Sequence, residues 1–139
     1  MNKFKLTIEY DYDFLLIGIS CHEKDYRVAW SINTHLKTDL KKADDLKIEQ
    51  KKKTPIQQFS FYEYIDEEFY REFFLIANRS EGGMLVPEQK QVDYFLMVKG
   101  SLKSEEKIMF MQQLKKINIV LAAYDINPAN LLSKQNLLF

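Results

Sequence analysis

Gly82-Gly83-Met84-Leu85-Val86-Pro87-Glu88-Gln89-Lys90-Gln91-Val92-Asp93-Tyr94-Phe95-Leu96-Met97-Val98 combines a turn, a proline-marked approach and a buried strand in one stretch. Two glycines supply positive φ at little steric cost, and Pro87 fixes φ and removes a backbone donor. Residues 92–98 are then almost wholly apolar or aromatic. Such a run belongs in the middle of a sheet with both faces covered, and the rest of the chain is expected to be arranged around it.

The same segment carries a resemblance. Val86-Pro87-Glu88, a short spacer and Val92-Asp93-Tyr94 resemble the signature of the IPExxVDY family, small bacterial proteins with no assigned activity. Asp25-Tyr26-Arg27-Val28-Ala29 leading into Asn33-Thr34-His35-Leu36, and Asn136-Leu137-Leu138-Phe139, extend the likeness. Val86 stands where the family name has Ile, and the spacer is Gln89, Lys90 and Gln91 where the name implies two residues. The extra residue is expected in the loop before Val92, because inside a strand it would exchange the two faces. The resemblance implies a signature set of Pro87, Glu88, Val92, Asp93 and Tyr94, and it brings no catalytic residues.

A chain of 139 residues fits one α+β domain over its whole length and buries enough surface to fold without staples. Hydrophobic residues at 46% and aromatics at 14%, with 4 Gly and 3 Pro, exclude a disordered or linker-rich chain. The single Cys21 forms no internal disulfide, and no charged stretch with an apolar core opens the chain, so a cytoplasmic protein is expected. No apolar run approaches the ~18 residues of a membrane helix. Balanced charge, 20 basic against 20 acidic residues, argues against a dedicated nucleic-acid binder. The charge is segregated, however: residues 37–53 hold seven lysines against four acids, and residues 63–72 hold five acids against Arg71. Such patches are either solvated faces or surfaces that meet opposite charge on a partner.

In chain order, residues 3–10 alternate as a half-exposed strand and residues 14–20 form an apolar strand covered on both sides. Tyr26, Ala29, Trp30, Ile32, Asn33 and Leu36 mark one face of a helix starting at Asp25. Residues 38–48 fit a strand or irregular edge, and Lys51-Lys52-Lys53-Thr54-Pro55 is a loop. Residues 58–65 and 69–78 alternate on either side of Asp66-Glu67-Glu68, which favours an aromatic hairpin; a helix over residues 67–76 is the rival reading. Ser104 is expected to cap a helix running to residue 117, residues 119–126 to form a further strand, and residues 131–139 to dock as a tail. The predicted fold is a two-layer α+β sandwich, loosely ferredoxin-like, with two main helices on one face of a mixed, mostly antiparallel sheet.

Chemistry is sparse. Cys21 beside His22 is an activated pair only if the two side chains meet, and neighbours on a strand point to opposite faces. Cys21, His22, His35 and Asp25 match no metal spacing, and Glu81-Gly82-Gly83-Met84 precedes a strand where a phosphate cradle needs a helix. No catalytic residue, cofactor or metal is therefore assigned. Glu88 and Asp93 are expected to accept hydrogen bonds from loop amides and to anchor the strand, with acid–base work as the alternative. Tyr62, Tyr64, Tyr70 and Phe74, exposed together beside Lys51, Lys52 and Lys53, would suit a protein interface. The sequence thus favours a non-enzymatic interaction protein, with a protein partner or a homodimer. A single-stranded RNA-binding module, and a small-ligand sensor or enzyme near Glu88, Asp93 and Asp125, are the alternatives.

Overall fold

The computed structural model describes residues 14–49 and 56–139. The predicted strand over residues 3–10 and the lysines Lys51, Lys52 and Lys53 lie outside the described residues. The apolar run becomes β9 (Tyr94–Gly100), and it sits where its composition requires, inside the sheet. Its neighbours are β1 (Leu15–Ser20), also buried throughout, and β6 (Arg71–Ala77), which pairs with β5 (Phe61–Asp66). β10 (Ala122–Ile126) closes one side against β1, and β2 (Lys41–Lys42) touches β5 on the other. Every pairing among the described residues is antiparallel, with no parallel pair of the kind a mixed sheet would contain among them. Two ribbons stand apart, β3 (Leu46–Ile48) with β4 (Gln57–Phe59) and β7 (Arg79–Ser80) with β8 (Gly83–Met84).

Two helices, α1 (Asp25–Leu36) and α2 (Ser104–Lys115), cover one face. With β1, β6, β9 and β10 they complete a β-α-β-β-α-β unit, and the molecule is a small α+β sandwich. Val28, Ala29 and Ile32 are the residues that α1 buries. The helix is therefore turned from its expected orientation: Tyr26 and Trp30 are exposed, Trp30 at 69%. Small and β-branched side chains take the inner face in place of the rings. In α2, Ser104 is the first helical residue and not the cap; Lys103 precedes it, and its amide donates to Glu106 Oε1 at 3.0 Å. The Glu106 carboxylate thus takes the cap-position amide, while the Glu106 amide bonds to the Lys103 carbonyl at 3.0 Å, so no serine side chain is needed there.

Among the described residues the other face of the sheet carries no α-helix, only the short 3-10 helices Pro128–Asn130 and Lys134–Leu137. It is covered by irregular chain: the segment before β9, β4 and the C-terminal tail, which bury Leu85, Val86, Val92, Phe59, Leu131 and Leu137 against Leu16, Ile76, Phe95 and Met97. Val92 lies over Gly18, where a Cβ would meet its methyl at 2.7 Å. Irregular segments bring unpaired backbone polar groups into the core, and these need partners.

Candidate functional site

Most of those partners come from one residue. Asn78, fully buried at the end of β6, donates from Nδ2 to the carbonyls of Val92 (2.8 Å) and Gln89 (3.1 Å) and accepts the Val86 amide on Oδ1 (2.8 Å). Its own backbone bonds to Asp93 O and Leu85 N. The loop of residues 85–93 is thus wound around a single amide side chain. Asn136 Nδ2 adds a bond to Leu85 O at 2.8 Å.

The residues of this segment divide between the two layers: Val92 packs on the helix-free face and Tyr94 on the helix side. Glu88 accepts the backbone amide and the hydroxyl of Ser133, at 2.8 and 2.9 Å, and so ties the tail to the loop. Asp93 uses both oxygens, taking the Cys21 amide at 2.9 Å and Arg79 Nε at 2.6 Å. Tyr94 donates to Glu23 O at 2.6 Å, and burial pushes its phenol above the ordinary range. Pro87 opens the turn, and Val92 is core. Burial works to raise the Glu88 carboxyl, but the hydrogen bonds from Ser133 and neighbouring backbone outweigh it and hold the group below its usual value. A carboxylate depressed in the fold stabilises fully above its unfolded value and loses that contribution as pH falls through the folded one. Glu88→Gln is accordingly expected to be less stable than the parent by about 1 kcal/mol at pH 7, after allowing for solvent screening. In urea titrations the gap should narrow as pH falls below the ordinary glutamate range, toward the depressed folded value.

Elsewhere the candidate chemistry does not assemble. Cys21 is buried at the end of β1, burial pushes its thiol up, and His22 beside it is exposed. His35 faces solvent with Nδ1 against Ser31 O at 3.0 Å. Among the described residues no three His, Cys, Asp or Glu side chains converge on a metal position. Asp125, on β10, shares no hydrogen bond or ion pair with Glu88 or Asp93 among the described residues. It lines a separate cleft beside Lys107.

The hairpin is different. Residues 71–77 form strand, not helix, and alternation divides the aromatic set between the two faces. Tyr62 is buried beneath α1, donates to Asp25 Oδ2 at 3.2 Å, and is pushed up to about 12 by burial and that carboxylate. Tyr64 packs half-buried on the same side. Phe74 is buried on the opposite face. The expected joint surface of Tyr62, Tyr64, Tyr70 and Phe74 therefore does not exist, because both sides of this sheet are covered. What is exposed is the tip: Ile65 (50%), Phe69 (55%) and Tyr70 (85%). Asp66 Oδ1 accepts the amides of Glu68 and Phe69, closing the turn, and Tyr70 then takes φ 55°, a left-handed conformation unusual for an aromatic residue. The turn rests on Gly100, whose φ is 122° and where a Cβ would meet the Tyr70 carbonyl at 2.6 Å. Arg71 lies over the Phe69 ring at 5.2 Å and pairs with Glu106 of α2.

Behind the tip, on the face away from the helices, runs an open trough of about 540 Å³. Phe61, Phe74 and Phe139 form its floor; Phe139 stands edge-on to the other two at 5.1 and 5.3 Å between centroids. Lys99 extends from β9 over the rings, its ammonium 5.4 Å from Phe74 and 5.0 Å from Phe139. Carboxylates line the rim at Asp44, Asp45, Glu63 and Glu72. No single stretch of sequence signals the trough, since β5, β6, β9, the tail and residues 44–47 each contribute to it. No family model, curated protein or solved structure matches the chain.

No helix among the described residues is long and apolar enough to cross a membrane.

Proposed function

We propose that this is a cytoplasmic, non-enzymatic interaction module whose contact surface for a partner protein is the β5–β6 hairpin, tip and trough together. One observation carries the reading: Tyr70 holds its ring in water, beside Phe69 and Ile65, at a backbone conformation that costs about 1–3 kcal/mol for a residue other than glycine. At 85% exposure that ring buries little against the described residues. Exposed aromatics on a rigid turn are the anchors that protein interfaces favour. The acidic rim beside them repels phosphate and weighs against RNA. Glu88 and Asp93, both engaged in structural bonds, weigh against a catalytic centre there. Kinship with the IPExxVDY proteins is part of the same proposal and rests on the sequence resemblance, with Glu88, Asp93 and Tyr94 each holding a separate structural hydrogen bond.

Two variants test it. Phe69→Ser combined with Tyr70→Ser should abolish co-purification of a partner while leaving the circular dichroism spectrum and melting temperature unchanged within a few degrees; a partner retained by the variant would remove the proposal. Tyr70→Gly separates strain from contact: it should gain about 1 kcal/mol of stability in urea unfolding, because glycine accepts the left-handed turn, and still lose association.

A further inference from the structure

We infer that the trough receives an arginine side chain from a basic segment of the partner. This rests on the hairpin's being the contact surface and names the chemistry that docks there. The rings present their faces to a cation already: the Lys99 ammonium stands over Phe74 and Phe139, and no carboxylate lies within ion-pair reach of it among the described residues. Glu63 and Glu72 are exposed and likewise join no ion pair among the described residues. Four carboxylates and two lysines, Lys47 and Lys99, line the trough, and Asp45 already pairs with Lys42 at 2.7 Å, so Glu63 and Glu72 supply the unpaired negative charge. A cation entering here gains both ring faces and unpaired charge, whereas an anion meets the rim.

Geometry narrows the class. Small-molecule sites enclose most of their ligand, and a trough of about 540 Å³ open along its length does not. A peptide crossing it can lay one side chain on Phe139, the most accessible of the three rings, and continue toward Phe69 and Tyr70. Arginine fits better than lysine, because its planar guanidinium stacks on a ring while its N–H fork reaches a carboxylate. Its arrival displaces the Lys99 ammonium, since two cations cannot share the same ring faces. Lys99 is thus an internal occupant that the partner's arginine replaces.

The test is calorimetric titration of the full chain with a capped tetra-arginine peptide, against the same peptide with citrulline in place of arginine. The arginine peptide should bind and the neutral one should not. Phe139→Leu, and Glu63→Gln with Glu72→Gln, should each weaken binding about tenfold, and Lys99→Met should tighten it about threefold. Glu63 and Glu72 are exposed, so their amides should leave the circular dichroism unchanged. Equal binding of both peptides, or arginine binding indifferent to Phe139 and the two glutamates, would overturn the inference, as would preferential binding of a single-stranded oligonucleotide. The Phe69→Ser, Tyr70→Ser protein should still bind the peptide. Failure of the peptide with a partner still lost from that tip variant would sink only the arginine assignment; a partner kept by the tip variant would sink the interaction reading itself.

Discussion

Asn78→Ala is expected to cost about 4 kcal/mol, a large loss for a single polar residue. The side chain removed makes bonds of 2.8, 3.1 and 2.8 Å to Val92 O, Gln89 O and Val86 N. Val86 and Val92 are themselves buried, so no water replaces the lost partners. Each orphaned buried group costs about 1–3 kcal/mol, and the methyl left in place of the amide adds a small void. Against the total stability of about 5–15 kcal/mol typical of a domain, such a loss should lower the melting temperature by 10 °C or more. Asn78→Asp should do no better at neutral pH, because it points a second oxygen at the Val92 and Gln89 carbonyls. Urea unfolding of both variants gives the measure; a loss under about 1 kcal/mol would mean that the loop is held by its apolar residues alone.

Gly100→Ala should cost about 3 kcal/mol and, unlike the Asn78 variants, should act on the contact surface. Two effects add. A φ of 122° lies outside what an L side chain readily adopts, and the new Cβ would sit 2.6 Å from the Tyr70 carbonyl, a backbone atom that cannot swing away. The turn must lift or β9 must twist, and either shift moves Phe69 and Tyr70. Thermal unfolding should show the destabilisation, and partner retention should fall well beyond what the unfolded fraction explains. Full retention in the folded protein would show that the position of the tip is immaterial to binding.

How far the sequence carried these conclusions follows from where periodicity exists. β9 announced itself through its apolar run, and α1 began at Asp25 as expected. The hairpin strands showed in their alternation, but alternation assigns side chains to two sides without saying what covers either. Tyr62 went under α1 and Phe74 under the irregular layer. That second layer, residues 85–92 and the tail, has no period to read, and it is what buries Phe74. The exposed tip was obscured for another reason: Tyr70 is aromatic at a place where turn chemistry favours Gly or Asn, so it did not look like a turn residue. Asn78 left a faint signal, a lone amide closing the apolar Phe73-Phe74-Leu75-Ile76-Ala77 run. A polar residue ending such a run inside a covered sheet must be satisfied, and here it satisfies the loop that follows. The partners of Glu88 and Asp93 were not legible, because Ser133 lies 45 residues from Glu88 and Cys21 lies 72 residues from Asp93, distances that no local pattern encodes.

The hairpin is the proposed contact surface, and the most direct test is native mass spectrometry of the protein isolated gently from its own cells, parent beside the Phe69→Ser, Tyr70→Ser variant. A stoichiometric second protein should accompany the parent, and the variant should be a bare, folded chain. A parent that flies alone or with only a small added mass, or a variant that keeps its partner, would contradict that assignment.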